Sequence, residues 1–395
     1  MTCAPITQCR GCHAPVEKCE VVLTMDPMPL AGVFSPTEAA ALAAPLVPLT
    51  WLLCSECELV QVAENVSDTT LFSHYNYASS TVSGLVQHFV GYAEFLKTRY
   101  SGIEALTFLE IGCNDGVLLQ RLPRNWKLVG VDPSDVALRA TLSPVPYMLH
   151  NQPFTQGLVL DQRLEGKIDV ISGSNCLAHI SDLRNVFEAV SLALRIGGEF
   201  WLEVHDLRSL LRGFQWDTIY HEHKAEWSEQ SLQHCLGPLG FSHVQTFRTS
   251  MHGGALRICF RKEPQAGICV AQPVVLRPLL RRLQGAYQAR YETPAVRALI
   301  ETKRRGDCIA AYGAAGRANV YLNQLHELRF DYIVDEAPLR LNKFIPRVAT
   351  PIVPPSRLVE QPAKDCLITA WNYREDIIRK NPAHSGTWLT AFEED

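Results

Sequence analysis

Four consecutive residues, Tyr220-His221-Glu222-His223, bring a phenol, two imidazoles and a carboxylate together shortly after Asp217. Histidine titrates near neutral pH, so a histidine of this segment is a candidate general base, and a carboxylate that touches its other nitrogen would orient it. A metal site is a second interpretation, since His221 and His223 would share one face of a strand. A polar surface turn is the third. We favour proton transfer, with His221 as the weaker histidine.

Two Cys-x-x-Cys pairs form a second group with possible chemistry, and they are Cys9 with Cys12 and Cys54 with Cys57. Each pair can place two thiolates on one ion through a tight turn, and Gly11 suits the first turn. Four thiolates in a closed tetrahedron are typical of structural zinc. Cys3 and Cys19 compete as ligands, and a redox centre is disfavoured because neither pair lies in a thioredoxin-like βαβ context. We therefore predict one structural zinc ion that folds a small domain.

A glycine-rich turn follows the apolar run LTFLEIG, which predicts a strand, a turn and then a helix. Gly112 and Gly116 permit close backbone approach, and Glu110 lies near the end of the strand. A second predicted strand ends at Asp132, 22 residues after Glu110, where a carboxylate can accept hydrogen bonds from a ribose diol. NAD-binding folds share these features. The spacing E-x-G-x-x-x-G differs from G-x-G-x-x-G and favours S-adenosylmethionine (SAM), which has no pyrophosphate.

Alternating strands and helices must position these groups. The runs WKLVGVD, KIDVISG and GGEFWLEVH predict further buried strands, and SDVALRATL and LRNVFEAVSLALRI predict helices. LLQRL has helical spacing, and Gly197-Gly198 is predicted to turn from a helix into the last of these strands. This alternation indicates a parallel sheet covered by helices. Asn175 and His179 follow the KIDVISG strand, so we expect both at the ligand-binding edge of the sheet.

Length and composition set the wider frame. The 395 residues are too many for one core, and we predict blocks at 1–66, 67–262 and 263–395. A net charge of −4 provides no global basic field for nucleic acid. No signal-peptide pattern begins the chain, and the longest apolar run, 40–53, is short and interrupted by prolines. We predict a cytoplasmic protein without a nucleic-acid, membrane or obligate protein partner.

The third block is also predicted to be α/β. It opens with a long helical pattern at 278–306, and AYGAAGRAN then predicts a strand, a glycine turn and a helix. The turn can be an anion site or a packing turn. Candidate substrate-binding residues here and in the preceding strand–turn–strand are His252, Gly253, Gly254, Gly313, Arg317, Asn319 and Trp371.

The motifs CRGC…CSEC, YNYASS, EIGCNDG, NCLAHI, DTIYHEH, MHGGALR and AYGAAGRAN together resemble the zinc-containing, SAM-dependent sugar C-methyltransferases. The resemblance covers nearly the whole chain. It implies an N-terminal zinc domain, a central class I SAM domain and a C-terminal Rossmann-like domain that helps to hold a nucleotide-linked 4-keto deoxysugar. It implies His223 as the base, with Tyr220, Glu222 and His179 as catalytic neighbours. The implied cofactor contacts are Tyr77, Glu110, Gly112, Asn114, Gly116, Asp132 and Asn175.

Two departures from the family pattern concern the acceptor. The family often has a proline-tyrosine pair after the last strand of the SAM sheet, where this chain reads Glu203-Val204-His205-Asp206-Leu207. After the histidine the family commonly carries aromatic residues, whereas this chain continues with Lys224, Ala225, Glu226 and Trp227. Methylation of oxygen or nitrogen in another small molecule therefore stays open. An RNA-directed role is disfavoured because Arg10 and Lys18 are the basic residues before residue 66. Spacing does not exclude a dehydrogenase, since Asp335 follows Gly316 by 19 residues.

Overall fold

The structure is a computed structural model that describes residues 3–68, 71, 78–81, 83–141, 145–264 and 276–392. Within these ranges the strands form sheets of two, four, seven and five strands. The seven-stranded and five-stranded sheets belong to the middle and third blocks, as their alternating patterns predict. The same ranges include no helix with both the length and the apolar character needed to cross a bilayer.

The first block is built from antiparallel strands. Its elements are β1 (Cys3–Pro5), β2 (Cys19–Met28), α1 (Glu38–Leu42), β3 (Val47–Cys54), β4 (Val60–Val62) and β5 (Glu64–Val66). β1 pairs with β5, whereas β2, β3 and β4 form a sheet that Ala225–Glu226 of the middle block completes. Because this strand begins two residues after His223, the sheet of the first block holds the chain close to the candidate base.

The middle block forms the seven-stranded sheet. Its strands are β6 (Thr107–Ile111), β7 (Lys127–Val131), β8 (Met148–His150), β9 (Ile168–Ser174), β10 (Leu194–His205), β11 (Ala225–Glu226, in the sheet above), β12 (Phe241–Thr249) and β13 (Ala255–Lys262). Its helices are α2 (Ser83–Arg99), α3 (Asp135–Ala140), α4 (Gln156–Asp161), α5 (Leu183–Ala193), α6 (Leu207–Arg212) and α7 (Glu229–Leu236). The strand order is β12-β13-β10-β9-β6-β7-β8, and β13 alone runs antiparallel to both of its neighbours among these described strands. This arrangement confirms the predicted class I methyltransferase sheet.

Two local predictions in the middle block are wrong. Gly197 and Gly198 do not separate a helix from a strand, because β10 already begins at Leu194, where it pairs with β9, and passes through the glycines with a register shift. A Cβ at Gly198 would lie 2.9 Å from a backbone carbonyl oxygen, so close backbone approach explains that glycine. LLQRL forms just the 3-10 turn Leu119–Arg121, since Pro123 favours an extended conformation in the residue before it.

The third block forms a parallel sheet in the order β16-β15-β14-β17-β18, which confirms the predicted Rossmann-like fold. Its strands are β14 (Ile309–Tyr312), β15 (Tyr332–Val334), β16 (Ile352–Val353), β17 (Asp365–Ile368) and β18 (Thr387–Thr390). Its helices are α8 (Leu276–Gln288), α9 (Pro294–Arg304), α10 (Gly316–Gln324), α11 (Arg357–Glu360) and α12 (Arg374–Lys380).

The predicted long helix at the start of the third block is two helices, α8 and α9. Thr293 is the N-cap of α9, and its side chain accepts a hydrogen bond from the N–H of Val296. Pro294 occupies the first helical position, where its missing N–H has no helical partner to lose. The proline also favours an extended conformation at Thr293, which ends any continuous helix at that residue.

One apolar core joins all three blocks. It contains Trp51 of β3, Trp216 after α6 and Tyr321 of α10. The rings of Trp216 and Tyr321 stack with centroids 4.7 Å apart and planes 12° apart. The segment between Trp216 and His223 is therefore anchored at the junction of the blocks. The exact boundaries at 66 and 262 stay predictions, and residues 265–275, between β13 and α8, lie outside the described ranges.

Candidate active site and metal centre

The four predicted zinc ligands converge on one point. The Sγ atoms of Cys9 and Cys57 are 3.6 Å apart, and those of Cys12 and Cys54 are 3.7 Å apart. All four sulfur atoms lie within 4.8 Å of one another. Tetrahedral zinc with Zn–S bonds near 2.3 Å requires S–S separations of about 3.8 Å, so this cluster fits the ion. Four thiolates would fill the coordination sphere, which gives the metal a structural role.

The two competing cysteines lie outside the cluster. Gln61 donates a hydrogen bond to the Sγ of Cys19 at 3.8 Å, and Cys3 is exposed. Gly11 is absent from the described glycines with positive φ, so the turn itself does not require it. A Cβ at Gly11 would lie 2.9 Å from the Sγ of Cys235 in α7, and this close packing explains the glycine.

Arg10 connects the zinc loop to the middle block. Its backbone N–H donates to the side chain of Gln61 at 3.0 Å, and its guanidinium donates to the carbonyl oxygens of Val62 and Glu64. The same guanidinium donates to the carbonyl oxygen of Ser181 at 3.4 Å. Since Ser181 lies two residues after His179, the metal loop helps to hold the segment that carries a candidate catalytic side chain.

The glycine-rich loop after β6 has the predicted shape. Gly112, Asn114 and Gly116 have φ values of 69°, 50° and 74°, in the left-handed region. A Cβ at Gly112 would lie 2.6 Å from the Cβ of Cys176, and one at Gly116 would lie 2.4 Å from the hydroxyl of Tyr147. Glycine is therefore required at both positions for conformation and for close approach. The loop lies at the carboxyl end of β6, where open α/β sheets bind ligands.

Two acidic side chains flank this loop. The carboxylate of Asp132 accepts the N–H groups of Asn114 and Ser134, each at 2.8 Å, and each oxygen keeps a second lone pair for a hydroxyl group. Glu110 is buried, and its Oε2 has no hydrogen-bond partner among the described residues. Burial, with the nearby Asp132 and Asp115, raises the pKa of Glu110 well above its ordinary value. Because a buried polar atom without a partner is costly, Glu110 fits a donor group of SAM.

Asn175 and Glu203 form the floor beside the loop. Asn175 has a φ of 56°, and its backbone N–H donates to the carbonyl oxygen of Glu203 at 2.8 Å. The Glu203 carboxylate is buried, with Arg257 at 2.6 Å and His88 at 2.6 Å. These contacts hold Asn175 at the carboxyl end of β9, facing the edge at which we predict the methionine part of SAM.

A segment that precedes α2 covers the glycine-rich loop. The backbone N–H of Ser79 donates to the Oδ1 of Asn114 at 2.9 Å, and that of Ser80 donates to the Oδ2 of Asp115 at 3.0 Å. Asn114 therefore connects the cover to the loop. Tyr77, another predicted cofactor contact, lies outside the described residues.

The Tyr-His-Glu-His segment is a tight turn, in which Tyr220 and His223 form an antiparallel bridge. The strand geometry needed to bring both histidines to one metal ion is therefore not found. His221 is fully buried, and its Nε2–H donates to the carbonyl oxygen of Pro48 at 2.8 Å. Because His221 is fully buried, the interpretation of this segment as a polar surface turn is also wrong. His221 links the turn to the first block.

The protonation state of His223 follows from its hydrogen bond. Its Nδ1 lies 2.8 Å from the carbonyl oxygen of Thr218, which can only accept, so Nδ1 carries the hydrogen and Nε2 of the neutral ring has a lone pair. The ring of Tyr220 is 4.5 Å away and that of His179 is 4.9 Å away, between centroids. Burial and the neighbouring imidazoles lower the pKa of His223 well below its ordinary value. His223 is therefore a neutral imidazole at physiological pH.

The two other predicted catalytic neighbours are connected by the backbone. The Nδ1–H of His179 donates to the carbonyl oxygen of Glu222 at 2.8 Å, and burial lowers the pKa of His179 to about 4. The Glu222 carboxylate accepts the N–H of Gly32 at 2.8 Å, and burial raises the pKa of Glu222 to about 7. The Glu222 carboxylate thus links the Tyr-His-Glu-His turn to Gly32 of the first block. The ring of His223 is instead oriented by its hydrogen bond to Thr218.

Sequence reasoning named His205 and Glu226 among the departures from the family pattern and assigned neither of them a catalytic role. The ring of His205 lies 5.3 Å from that of His223 and 5.9 Å from that of His252, between centroids. The Nδ1 of His205 is 3.4 Å from the Oε1 of Glu226. Glu226 is fully buried, and its Oε2 has no hydrogen-bond partner within the part of the chain that the structure describes. The position of Glu226 between two apolar residues, Ala225 and Trp227, could have indicated from the sequence that this acid is buried.

Arg317 closes the junction between the middle and third blocks. It donates to the carbonyl oxygen of His252 at 2.8 Å, pairs with Asp217 at 3.1 Å and lies 4.6 Å from the ring centre of Trp371. Trp371 donates its indole N–H to Asp217 at 3.3 Å. Asp217 is fully buried. These contacts bring together the predicted substrate-binding residues Arg317, His252 and Trp371. They lie beside the histidine cluster, which consists of His179, His205 and His223.

The predicted glycines pack closely at this junction. A Cβ at Gly253 would lie 2.3 Å from Trp371, and one at Gly254 would lie 2.5 Å from Ser209. In the third block, a Cβ at Gly313 would lie 2.9 Å from that of Ala370. The packing interpretation of the glycine turn therefore has direct support.

Two further side chains of the third block have internal partners. Asn319 is fully buried, donates to the carbonyl oxygen of Ala31 at 3.0 Å and accepts from Asn323. It therefore joins the first and third blocks, and the prediction that it contacts the substrate is wrong. Asp335 accepts the N–H of Ala314 at 2.9 Å and pairs with Arg340 at 3.1 Å. Because Arg340 contacts both carboxylate oxygens of Asp335, it occupies the acceptors that a ribose diol would use, which weakens the dehydrogenase interpretation.

A cavity of about 220 Å³ opens beside the histidine cluster, at the same junction. His88 of α2, Met251 and His252 of the β12–β13 connection, and Asn372 and Tyr373 of the third block are among its lining residues. The cavity therefore has walls from both the SAM domain and the third block.

Three family models match successive parts of the chain. The model of a zinc binding domain matches residues 9–72, a methyltransferase domain matches residues 85–246, and the C-methyltransferase C-terminal domain matches residues 285–392. The C-methyltransferase NovU of Streptomyces niveus is 28% identical over 396 aligned residues, which cover 95% of this chain and 92% of that protein.

Solved structures match the middle of the chain. The SAM-bound magnesium protoporphyrin IX methyltransferase of Synechocystis is 17% identical with a TM-score of 0.35, over 46% of this chain and 80% of that one. The PH0226 protein of Pyrococcus horikoshii is 15% identical with a TM-score of 0.37, over 49% and 99%.

The family matches, the four-cysteine cluster and the class I sheet agree on one domain plan. The first block carries the metal ligands, the middle block carries the SAM fold, and the third block matches the domain that follows it in C-methyltransferases. The chain is therefore a SAM-dependent methyltransferase whose domains follow the order of the zinc-containing C-methyltransferases that it resembles.

Proposed function

We propose that this enzyme methylates a carbon next to the ketone of a nucleotide-linked 4-keto deoxysugar or a related natural-product intermediate. The observation that carries the proposal is the 2.8 Å hydrogen bond from the Nδ1–H of His223 to Thr218. It leaves the Nε2 of a buried, neutral imidazole as a proton acceptor at the ligand-binding edge of the sheet. The family resemblance supplies the class of acceptor.

The reaction requires the protein to supply a base and to position the acceptor precisely. SAM, when bound, supplies an electrophilic methyl group. His223 is proposed to remove a proton from the carbon next to the ketone, which becomes an enolate nucleophile. Tyr220 packs against one face of the His223 ring and keeps it in place. Thr218 fixes the tautomer.

The acceptor is proposed to enter between the middle and third blocks. The cavity beside His252 would hold the nucleotide part, since its walls come from both blocks. Arg317 and Trp371 would shape its inner end, because Arg317 is already held by Asp217 and by the backbone of His252. We also propose that the enzyme works in the cytoplasm, where the four zinc thiolates stay reduced.

Proton exchange tests this function. The enzyme is incubated in deuterated buffer with a panel of nucleotide-linked 4-ketosugars, with and without SAM, and the products are followed by mass. Deuterium at the carbon next to the ketone, or a new carbon-bound methyl group, is the expected result. An oxygen- or nitrogen-bound methyl group without exchange would instead support the alternative activity. No reaction across the panel, with SAM binding confirmed, would contradict a ketosugar acceptor.

A further inference from the structure

An enolate needs a hydrogen-bond donor at its oxygen as well as a base at its carbon. His223 and His179 do not offer that donor while they are neutral, because each donates its Nδ1–H to a backbone carbonyl and keeps a lone pair on Nε2. A third imidazole stands beside them. His205 lies at the carboxyl end of β10, and the exposed fraction of its side chain is 12%, so it can reach a ligand.

His205 is hydrogen-bonded to a carboxylate. Its Nδ1 is 3.4 Å from the Oε1 of Glu226, which is fully buried. The same oxygen is 3.8 Å from the Nδ1 of His223, whose hydrogen is bonded to Thr218. An ionised carboxylate accepts hydrogen bonds and favours a positive charge on the imidazole. The second carboxylate oxygen, Oε2, has no hydrogen-bond partner in the described ranges, so the hydrogen bond that this carboxylate makes within them is the one to His205. A protonated His205 would carry its second hydrogen on Nε2, on the other side of the ring.

We propose that His205, positioned by Glu226, is the acid that donates a hydrogen bond from Nε2 to the oxygen of the enolate while His223 acts as the base. The inference rests on the proposed function, and it assigns a catalytic role to the residue at which this chain departs from the family pattern. Glu226 is a positioning residue, since it acts through His205.

The proton and electron pairs are conserved in this scheme. His223 takes the proton on Nε2, the electron pair of the broken C–H bond forms a C=C bond, and the carbonyl π pair moves to oxygen. The Nε2–H of His205 holds that oxygen. With SAM bound, the C=C pair would form the bond to the methyl carbon, the pair of the broken S–CH3 bond would stay on sulfur, and the oxygen pair would return to the C=O bond. His205 ends as it began, and His223 releases its proton to water.

The pKa values of three neighbouring rings agree with their neutral state. Burial is the largest cause that lowers the pKa of His179, His223 and His252, and the nearby imidazole of His205 lowers each of them further. The titratable or charged groups of the cluster, by element, are His88 (α2), His179 (the 3-10 helix), Glu203 (β10), His223, Glu226, His252 (the β12–β13 connection) and Arg317 (α10).

A titration without substrate tests the pair directly. The histidine Cε1–H signals of labelled enzyme are followed by NMR against pH, with His205→Asn used for assignment. We expect Glu226→Gln to lower the titration midpoint of His205 by about one pH unit or more, because it removes the neighbouring negative charge. An unchanged midpoint would overturn the proposal. This readout does not depend on the identity of the acceptor.

Deuterium exchange without SAM tests the catalytic role on the ketosugar that the wild-type enzyme exchanges. His205→Gln keeps a neutral donor near the Nε2 position, and His205→Asn removes it. We expect exchange to slow by about 10-fold or more in the glutamine variant and further in the asparagine variant. His243→Gln, on β12 outside the cluster, is the matched control. Wild-type exchange rates in both His205 variants would overturn the role.

Two further outcomes distinguish the acid role of His205 from a metal site and from a failure of the proposed function. Ring nitrogens of His205 and His223 and an oxygen of Glu226 lie within 4.8 Å of one another, close enough for a metal ion. A second metal per chain in elemental analysis, lost in His205→Asn, would overturn the acid role. If the wild-type enzyme exchanged no sugar, the proposed function and the enolate role would fail together, while the NMR titration would still decide whether the pair exists.

Discussion

The Nδ1–H of His223 and the carbonyl oxygen of Thr218 are joined by a 2.8 Å hydrogen bond inside one tight loop. A carbonyl cannot donate, so this bond selects one tautomer and leaves Nε2 as the basic atom. Burial keeps the ring neutral, because it lowers the pKa of His223. The backbone therefore does for His223 what a carboxylate does in many catalytic dyads.

Replacing the base tests this relationship. In His223→Asn, the amide N–H₂ can keep the bond to Thr218, but the variant has no basic nitrogen at the Nε2 position. We expect kcat to fall by about 10²- to 10⁴-fold with SAM affinity nearly unchanged. Turnover by mass spectrometry and SAM binding by calorimetry measure the two effects. Unchanged turnover would exclude His223 as the base.

The adjacent histidine provides the control for that experiment. His221, two residues before His223, is fully buried, and its Nε2–H is bonded to Pro48 of the first block. His221→Gln can retain a donor at a similar position. We expect turnover within about 3-fold of wild type, as for a structural contact, since the residue is outside the proposed proton path.

A second prediction concerns the SAM site. Asp132 accepts two backbone N–H groups, from Asn114 and Ser134, with its two oxygens. In Asp132→Asn the amide N–H₂ must face one of these donors, so the glycine-rich loop loses a contact and the ribose loses an acceptor. We expect SAM affinity to fall by about 10- to 100-fold. Asp135→Asn, an exposed acid in the first turn of α3, should bind SAM normally.

A third prediction concerns the metal. Elemental analysis should find about one zinc per chain, and Cys54→Ser should lose it and lower the free energy of unfolding by on the order of several kcal/mol. Cys19→Ser is the matched control, because Cys19 lies beside the cluster without joining it. Metal-free protein with wild-type stability would contradict a structural zinc site. Loss of zinc should also disturb the active site, because Arg10 in the zinc loop donates to the carbonyl oxygen of Ser181, close to His179.

A fourth prediction concerns pH. Burial lowers the pKa of His179 to about 4 and that of His252 to about 3, from 6.5. The unfolded chain therefore binds these protons first, and the stability that depends on neutral rings is present above about pH 6.5 and is lost as pH falls toward 4 and 3. Glu222, whose pKa burial raises from 4.5 to about 7, acts oppositely, with a contribution that is lost as pH rises through 7.

Urea unfolding at about pH 8 and about pH 5 measures the balance. We expect lower stability at the acid pH, since His221 and His223 have lowered pKa values as well and several rings oppose one carboxyl. Glu222→Gln should make the acid loss larger, because it removes the opposing group. Equal stability at both values in the wild-type enzyme would contradict neutral, buried rings.

Short-range patterns in the sequence were sufficient for the parts of the molecule that depend on neighbouring residues. Two Cys-x-x-Cys pairs, the E-x-G-x-x-x-G loop and the alternation of strands and helices indicated the zinc centre, the SAM fold and the Rossmann-like third block. Their spacing alone constrains the local geometry, since a tight turn can place two thiolates on one ion. The errors were local too, as at Gly198 and Pro294, where backbone packing and proline chemistry shaped the helix ends.

The sequence by itself thus determined the domain plan and the candidate base. Tertiary structure decided what surrounds that base, because side chains far apart in sequence meet only when the blocks pack. Glu222 contacts Gly32, Asn319 contacts Ala31, and His205 meets Glu226 across a turn and a helix. The type of a residue limits which of its atoms can be protonated. Which atom is protonated in the folded protein depends on burial and on the hydrogen-bond partner, and both of these are set by the packed structure.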